Sequence, residues 1–171
     1  MKSWLCAVAV LALLAGAAHA GEDDRSLSVF GGYGTYTIPD HSPAGGVLGL
    51  DYERGFSDAM SLRVSGGAGM YPLDDADQGT SYSGHATLGL TYLFDVLKYV
   101  PYVNLGAGAI VLTGGPVEDT TVKALLELGV GLDILHSRSV SYGVQVRLES
   151  FIQETSFVTA GVRATWRWGF F

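Results

Sequence analysis

The sequence predicts an all-β chain: an eight-stranded antiparallel up-and-down transmembrane β-barrel, preceded by a cleavable signal peptide. Three observations carry this. Alternation of apolar and polar residues with period two recurs along the chain after residue 20, and no stretch there holds helical spacing for long. The apolar parity gathers large aromatics near strand ends. The polar parity is rich in glycine and poor in lysine.

The first element is the leader. Met1-Lys2 is basic, Trp4 to Ala17 is apolar, and Ala18-His19-Ala20 places small residues at both cleavage positions. That pattern is a Sec signal peptide cut after Ala20. The apolar stretch is too short to cross a membrane as a helix, and Glu22-Asp23-Asp24 follows at once. Residues 1–20 are thus expected to leave, and residues 21–171 to form one domain. Cys6, the single cysteine, leaves with the signal, so the mature chain holds no disulfide and no thiolate metal site. Loss of Lys2 takes the ten Lys and Arg to nine against 17 Asp and Glu, a net charge of −8. Such acidity argues against a nucleic-acid partner, which requires clustered cations.

Eight strands follow: Ser26–Thr37, Gly46–Arg54, Met60–Tyr71, Ser81–Phe94, Tyr99–Leu112, Thr121–Leu135, Ser139–Phe151 and Phe157–Phe170. Most are longer than the five or six residues usual in soluble sheets, and about 9–11 tilted residues cross the hydrocarbon of a bilayer. The connections alternate. Phe56–Ala59, Asp95–Lys98 and His136–Arg138 are short turns, whereas Ile38–Gly45, Pro72–Thr80, Thr113–Thr120 and Gln153–Ser156 are mostly longer and acidic. Short periplasmic turns and longer outer loops give that asymmetry, and an even strand number returns both termini to the periplasmic side.

The faces decide between a soluble and a membrane barrel. The apolar parity includes Leu88 and Leu90, Leu126 and Leu128, Val144 and Val146, and Val162, Ala164, Trp166 and Trp168. Its aromatics Tyr52, Tyr92, Phe94, Tyr142, Trp166, Trp168 and Phe170 suit the headgroup level. The opposite parity carries five acids, Asp51, Glu53, Glu127, Asp133 and Glu149, and five bases, Arg63, Lys123, Arg147, Arg163 and Arg167. Such a balance suits charges enclosed together, because an unpaired buried charge is very costly. Interleaved glycines suit a narrow lumen, where small residues make way for large ones. Lys123 and Glu149 are expected toward the outer half, and Asp51, Glu53, Arg63, Asp133 and Arg167 toward the periplasmic half. Two charge clusters follow.

Signal peptide, alternating strands and aromatic last strand together resemble the small outer-membrane barrels of the OmpA/OmpX type, the outer-membrane β-barrel domain family. Val100–Gly108 is similar to that family's fifth strand and Leu128–Asp133 to its sixth. The resemblance covers residues 26–171. It implies a bacterial outer-membrane location, outer-membrane lipids including lipopolysaccharide as neighbours, and a terminal Phe read by the barrel-assembly machinery. Phe170 keeps the parity of Trp166 and Trp168, while Phe171 falls out of step.

The expected role is structural and surface-interacting: a monomer with no cofactor and a lumen filled by its charge network, since eight strands enclose room only for side chains. A narrow pore or a transporter of small or hydrophobic molecules is the second reading. Lipid A modification is the third. Asp40-His41-Ser42 holds an acid, a base and a hydroxyl, yet adjacent residues seldom converge as a triad. Lipid A deacylases are similar in size, but their His and Ser lie near the start of the last hairpin's loop. The matching stretch here, Arg147–Phe151, has no histidine. His85 reads as a hydrogen-bonded lumen residue and His136 as a turn residue. Asp74, Asp75 and Asp77, with Glu118-Asp119, read as a solvated acidic rim, because they lack the spacing of a calcium loop.

Overall fold

The computed structural model describes residues 24–37, 42–73, 79–94, 98–115, 117–151 and 156–169. The expected signal peptide, Asp40-His41 and Asp74, Asp75 and Asp77 lie outside the described residues. Eight strands appear: β1 Arg25–Thr37, β2 Ala44–Gly55, β3 Met60–Pro72, β4 Thr80–Leu93, β5 Tyr99–Gly114, β6 Val117–Leu135, β7 Val140–Phe151 and β8 Ser156–Trp168. Each pairs antiparallel with the next, and β8 closes on β1 through pairs such as Thr165 with Ser28. Closure satisfies every strand edge, which hydrocarbon demands because an unpaired backbone group there costs several kcal/mol.

Local chemistry sets the turns. After β2, the amides of Phe56 and Ser57 both donate to the Met60 carbonyl, and Ser57 Oγ accepts from Met60 N at 3.0 Å. After β6 the same device recurs: His136 and Ser137 donate to the Val140 carbonyl, and Ser137 Oγ accepts from Val140 N at 3.1 Å. A serine at the second turn position thus reverses the chain twice.

Most strand bounds shift by one or two residues from expectation, and the largest change is between β5 and β6. Thr113–Thr120 is not a loop. β5 runs to Gly114 and β6 begins at Val117, with Gly114 paired to Val117 beyond a register shift at Leu112. Gly114 and Gly115 adopt φ of 77° and 62°, the left-handed region that a tight hairpin uses and that glycine reaches without strain. Glu118-Asp119 therefore belong to β6. At the other end β8 stops at Trp168, where Gly169 takes φ 98°. Phe170 lies outside the described residues.

The strands alternate inside and outside, and the alternation inverts that of a soluble protein. Asp51 and Glu127 are each 0% exposed, whereas Leu48 is 69% and Val162 66% exposed. In water this would leave a continuous apolar belt, far beyond the patch size of soluble monomers. Against acyl chains it is the expected wall. Inside, glycines leave room for large partners. Gly129 lies against the Asn104 side chain and Gly131 against the Tyr102 ring, each in a register-paired position of the neighbouring strand. A Cβ at either glycine would overlap that side chain.

Candidate functional site

The lumen is filled in three layers. Midway along the barrel is a charged belt built from β2, β3, β6 and β7. Arg63 donates to Asp51 at 2.9 Å, to Ser65 at 3.1 Å, and to Glu127. Arg147 donates to the second oxygen of Asp51, to Ser65 at 3.2 Å and to Gln145 at 3.2 Å. One carboxylate thus holds two guanidinium groups, one per oxygen. Thr87 adds a 2.8 Å bond to the other oxygen of Glu127. Strand alternation explains the convergence: each of these residues sits on the inward parity of its own strand.

A second cluster lies nearer the short-turn end. Arg163 faces Glu53 at 3.3 Å, donates from Nε to Thr165 at 2.9 Å, and stacks its guanidinium 4.7 Å from the centre of the Tyr102 ring. Asp133 accepts from Arg167 and from Ser141, both at 3.1 Å, and Arg167 also donates to Ser141 at 2.8 Å. Below it, a cavity of about 300 Å³ opens at the short-turn mouth, lined by Ser26, Glu53, Asp58, Ser61 and Arg167 among others.

Toward the opposite end the lumen holds an aromatic and aliphatic layer. Tyr36 stacks on Phe157 with ring centres 4.7 Å apart and meets Tyr71 edge-on at 5.1 Å. Val47, Ile110, Leu112 and Leu125 complete this lid, all of them buried. Tyr36 donates its hydroxyl to Ser81 Oγ at 2.8 Å, so the ring is buried without orphaning its polar tip. Phe30 lies between lid and belt, under the Arg147 guanidinium at 4.9 Å.

The expected charges are placed as follows. Two clusters exist, but with different members from those expected. Asp51 and Arg63 meet Glu127 and Arg147 in the belt, while Glu53, Asp133, Arg163 and Arg167 form the second cluster. Long arginine stems cross the narrow lumen, so the height of a Cα on its own strand does not fix the level of its charge. Glu149 stands beside the belt with His85 Nε2 3.7 Å away. Lys123 is half-buried and lies beyond Leu125, on the far side of the lid from Glu127.

Of the expected interfacial aromatics, Tyr52, Tyr92, Phe94, Tyr142, Trp166 and Trp168 all face outward, exposed, near the short-turn end. Tyr92 and Phe94 pack edge-on at 4.8 Å. Tyr99 joins that girdle, and Tyr33 and Tyr82 occupy the opposite rim. Those three, and the apolar lid, were missed by the sequence reading. Their parity was the available signal: Tyr36 falls in step with Gly32 and Gly34, and Tyr33 with Val29.

This arrangement is a closed cylinder, apolar on its outside, with charged layers and an aromatic layer within. The chain has the fold of a small outer-membrane β-barrel. Ail, the attachment invasion locus protein of Yersinia pestis, superposes with a TM-score of 0.61 at 16% identity, over 86% of this chain and 99% of that one. Neisserial surface protein A gives 0.64 at 12% identity, over 81% and 95%. The outer-membrane enzyme PagL gives 0.52 at 15% identity, over 82% and 97%. At such identities the likeness is one of fold. No protein-family model matches the chain, and a search of curated protein sequences finds no relative.

Proposed function

We propose that this barrel resides in the bacterial outer membrane as a structural, surface-interacting protein with a shut lumen. The observation that carries the reading is the stacking of an aromatic lid on a charged belt. Arg63, Arg147, Tyr36, Tyr71 and Phe157, on the inward parity of their strands, are all under 2% exposed. Such a plug stabilises the cylinder and fills the lumen with side chains. The end that carries Arg25 and Trp168 then faces the periplasm, as an even strand number requires, and the end with the two longest connections, 38–43 and 73–79, faces outward. Ail and Neisserial surface protein A carry names that speak of attachment and of the cell surface, which supports a role for the outer loops in contact. Outer-membrane lipids including lipopolysaccharide surround the wall, and the barrel-assembly machinery inserts it by reading a terminal Phe.

Two measurements on one preparation test this. Unheated and boiled samples of outer-membrane fractions should migrate differently on a gel, as a folded barrel does. The same protein in a planar bilayer should give no discrete channels. Steady unitary conductance would replace the plug with a pore.

A further inference from the structure

We propose that the mouth cavity at the β2–β3 turn binds the terminal ammonium group of a primary aliphatic amine, held by Glu53, Asp58 and the Ser61 hydroxyl. The site depends only on the fold; that it opens to the periplasm rests on the outer-membrane reading above.

The ladder shapes the cavity. Glu53 and Gly55 follow one another on the inward row of β2, and Ser61 on β3 pairs in register with Gly55. Gly55 brings no side chain to that level, and a space of about 300 Å³ opens beside Ser61. Glu53 pairs with Arg63, so Glu53 and Ser61 stand diagonally across the ladder. Diagonal neighbours lie about 7–8 Å apart, a separation that one small group bridges. Asp58 lies in the turn that joins the two strands and is exposed at the open side. Ser61 is the observation that points to a ligand. It lines the cavity, is 4% exposed, and its Oγ has no hydrogen-bond partner among the described residues. A buried hydroxyl is as a rule paired, because leaving it unpaired is costly. Glu53 is only partly engaged. The bonds from Arg163 at 3.3 Å and from Thr91 at 3.4 Å both land on Oε1, which leaves Oε2 to an occupant.

The existing commitments of the lining select a cation. Arg167 lines the cavity, but its two terminal nitrogens already serve Ser141 at 2.8 Å and Asp133 at 3.1 Å. Asp24 and Arg25 also line it and are engaged in interactions of their own, so neither is called on. An ammonium carries three donors and no acceptor. Glu53 Oε2, the Asp58 carboxylate and Ser61 Oγ supply three acceptors, two of them charged, and charge-assisted hydrogen bonds are the strong ones. Met60 and Leu93 are half-buried apolar members of the lining, which suit the alkyl stem behind the nitrogen. A metal ion fits less well, since no group of three or more His, Cys, Asp or Glu among the described residues is placed to hold one. The amine can arrive as a free diamine or as the lysine side chain of a periplasmic polypeptide.

The mature protein, refolded in micelles of a nonionic sugar detergent, is titrated with putrescine at neutral pH, and the amide signals of Gly55, Asp58 and Ser61 are followed by NMR. The wild type should show saturable shifts confined to the mouth. Butanol keeps an alkyl chain, and tetramethylammonium keeps the charge without N–H donors; both should leave those amides unmoved, and so should acetate. D58N should weaken binding by about tenfold, the scale of one charge-assisted hydrogen bond. S61A should weaken it severalfold, and E53Q/D58N should lose saturation. D58N and S61A touch no ion pair of the lumen, so they test the site in an intact barrel. R138Q, at the β6–β7 turn, should match the wild type. A capped Gly-Lys-Gly tripeptide separates the sources: tighter binding than putrescine assigns the amine to a polypeptide, and weaker binding assigns it to a free diamine. Absence of saturable shifts with both amines overturns the site. So do equal shifts with tetramethylammonium or acetate, and so does unchanged affinity in both D58N and S61A. Heat-modifiable migration is read on every sample. Absent amine binding in a heat-modifiable barrel removes this site alone. A chain that shows no shift is not a folded barrel, and that outcome removes the outer-membrane reading together with the site.

Discussion

Arg63 on β3 donates across the lumen to Glu127 on β6, 64 residues away in sequence, while its other terminal nitrogen holds Asp51 on β2. One side chain thus ties three strands that are not all neighbours. Replacing it with methionine leaves Asp51 and Glu127 short of a counter-charge in a site with no water access. R63M should destabilise the barrel by about 3–5 kcal/mol, as expected when one partner of a buried ion pair is removed. Urea unfolding in vesicles, followed through Trp166 and Trp168 fluorescence, measures this. R63M/E127L should recover part of the loss, since the orphaned acid is gone.

Gly131 faces the Tyr102 ring so closely that an added Cβ would overlap it. G131A should cost about 1–3 kcal/mol through overpacking. G131A combined with Y102L should cost less than the sum of the two single changes, a coupling that a double-mutant cycle detects. Gly46 is the contrast: it is exposed, faces outward and has nothing within 4 Å of a built Cβ. G46A should stay within about 0.5 kcal/mol of the wild type.

Much of this fold was legible in the sequence, because a membrane barrel writes its two faces as a strict period of two. Asp51, Arg63, Glu127 and Arg147 could be assigned to the lumen from parity alone. Which acid meets which arginine was not legible. Asp51 binds Arg147 from 96 residues away, and that encounter depends on barrel tilt and on the reach of an arginine stem. The lid was missed for a different reason. Tyr36, Tyr71 and Phe157 are apolar residues on the polar parity at strand ends, where they read as breaks in the pattern. A lumen has only to be filled, however, and rings fill it as well as ion pairs do. The β5–β6 hairpin was misread as a loop because its acids and glycines resemble loop composition. Two positive-φ glycines instead make the turn short.

The lid and the belt, two of the three filled layers, make a joint prediction for conductance. Truncating the lid in Y36A/Y71A/F157A leaves the belt below it intact, and neutralising the belt in D51N/R147Q leaves the lid. Neither variant should conduct in a planar bilayer, because the layer of Arg163, Tyr102 and Arg167 stays in place below them. Conductance from the lid variant alone would show that the belt does not seal.

The outward face should reject charge. Leu128 lies on the wall of β6, 46% exposed, between the register partners Leu105 and Leu148. L128R should cost about 2–4 kcal/mol near the bilayer midplane. The penalty is read as a lower urea midpoint in vesicles, and it should shrink in T37R, at the end of β1, where the side chain reaches water.

The central claim is which face meets lipid, and site-directed spin labelling measures it most directly. Labels at Leu128 and Val144, in vesicles, should show high oxygen and low aqueous-nickel accessibility, as hydrocarbon does. Aqueous accessibility at both positions, with labels at Gly129 and Gln145 reporting hydrocarbon, would contradict the account.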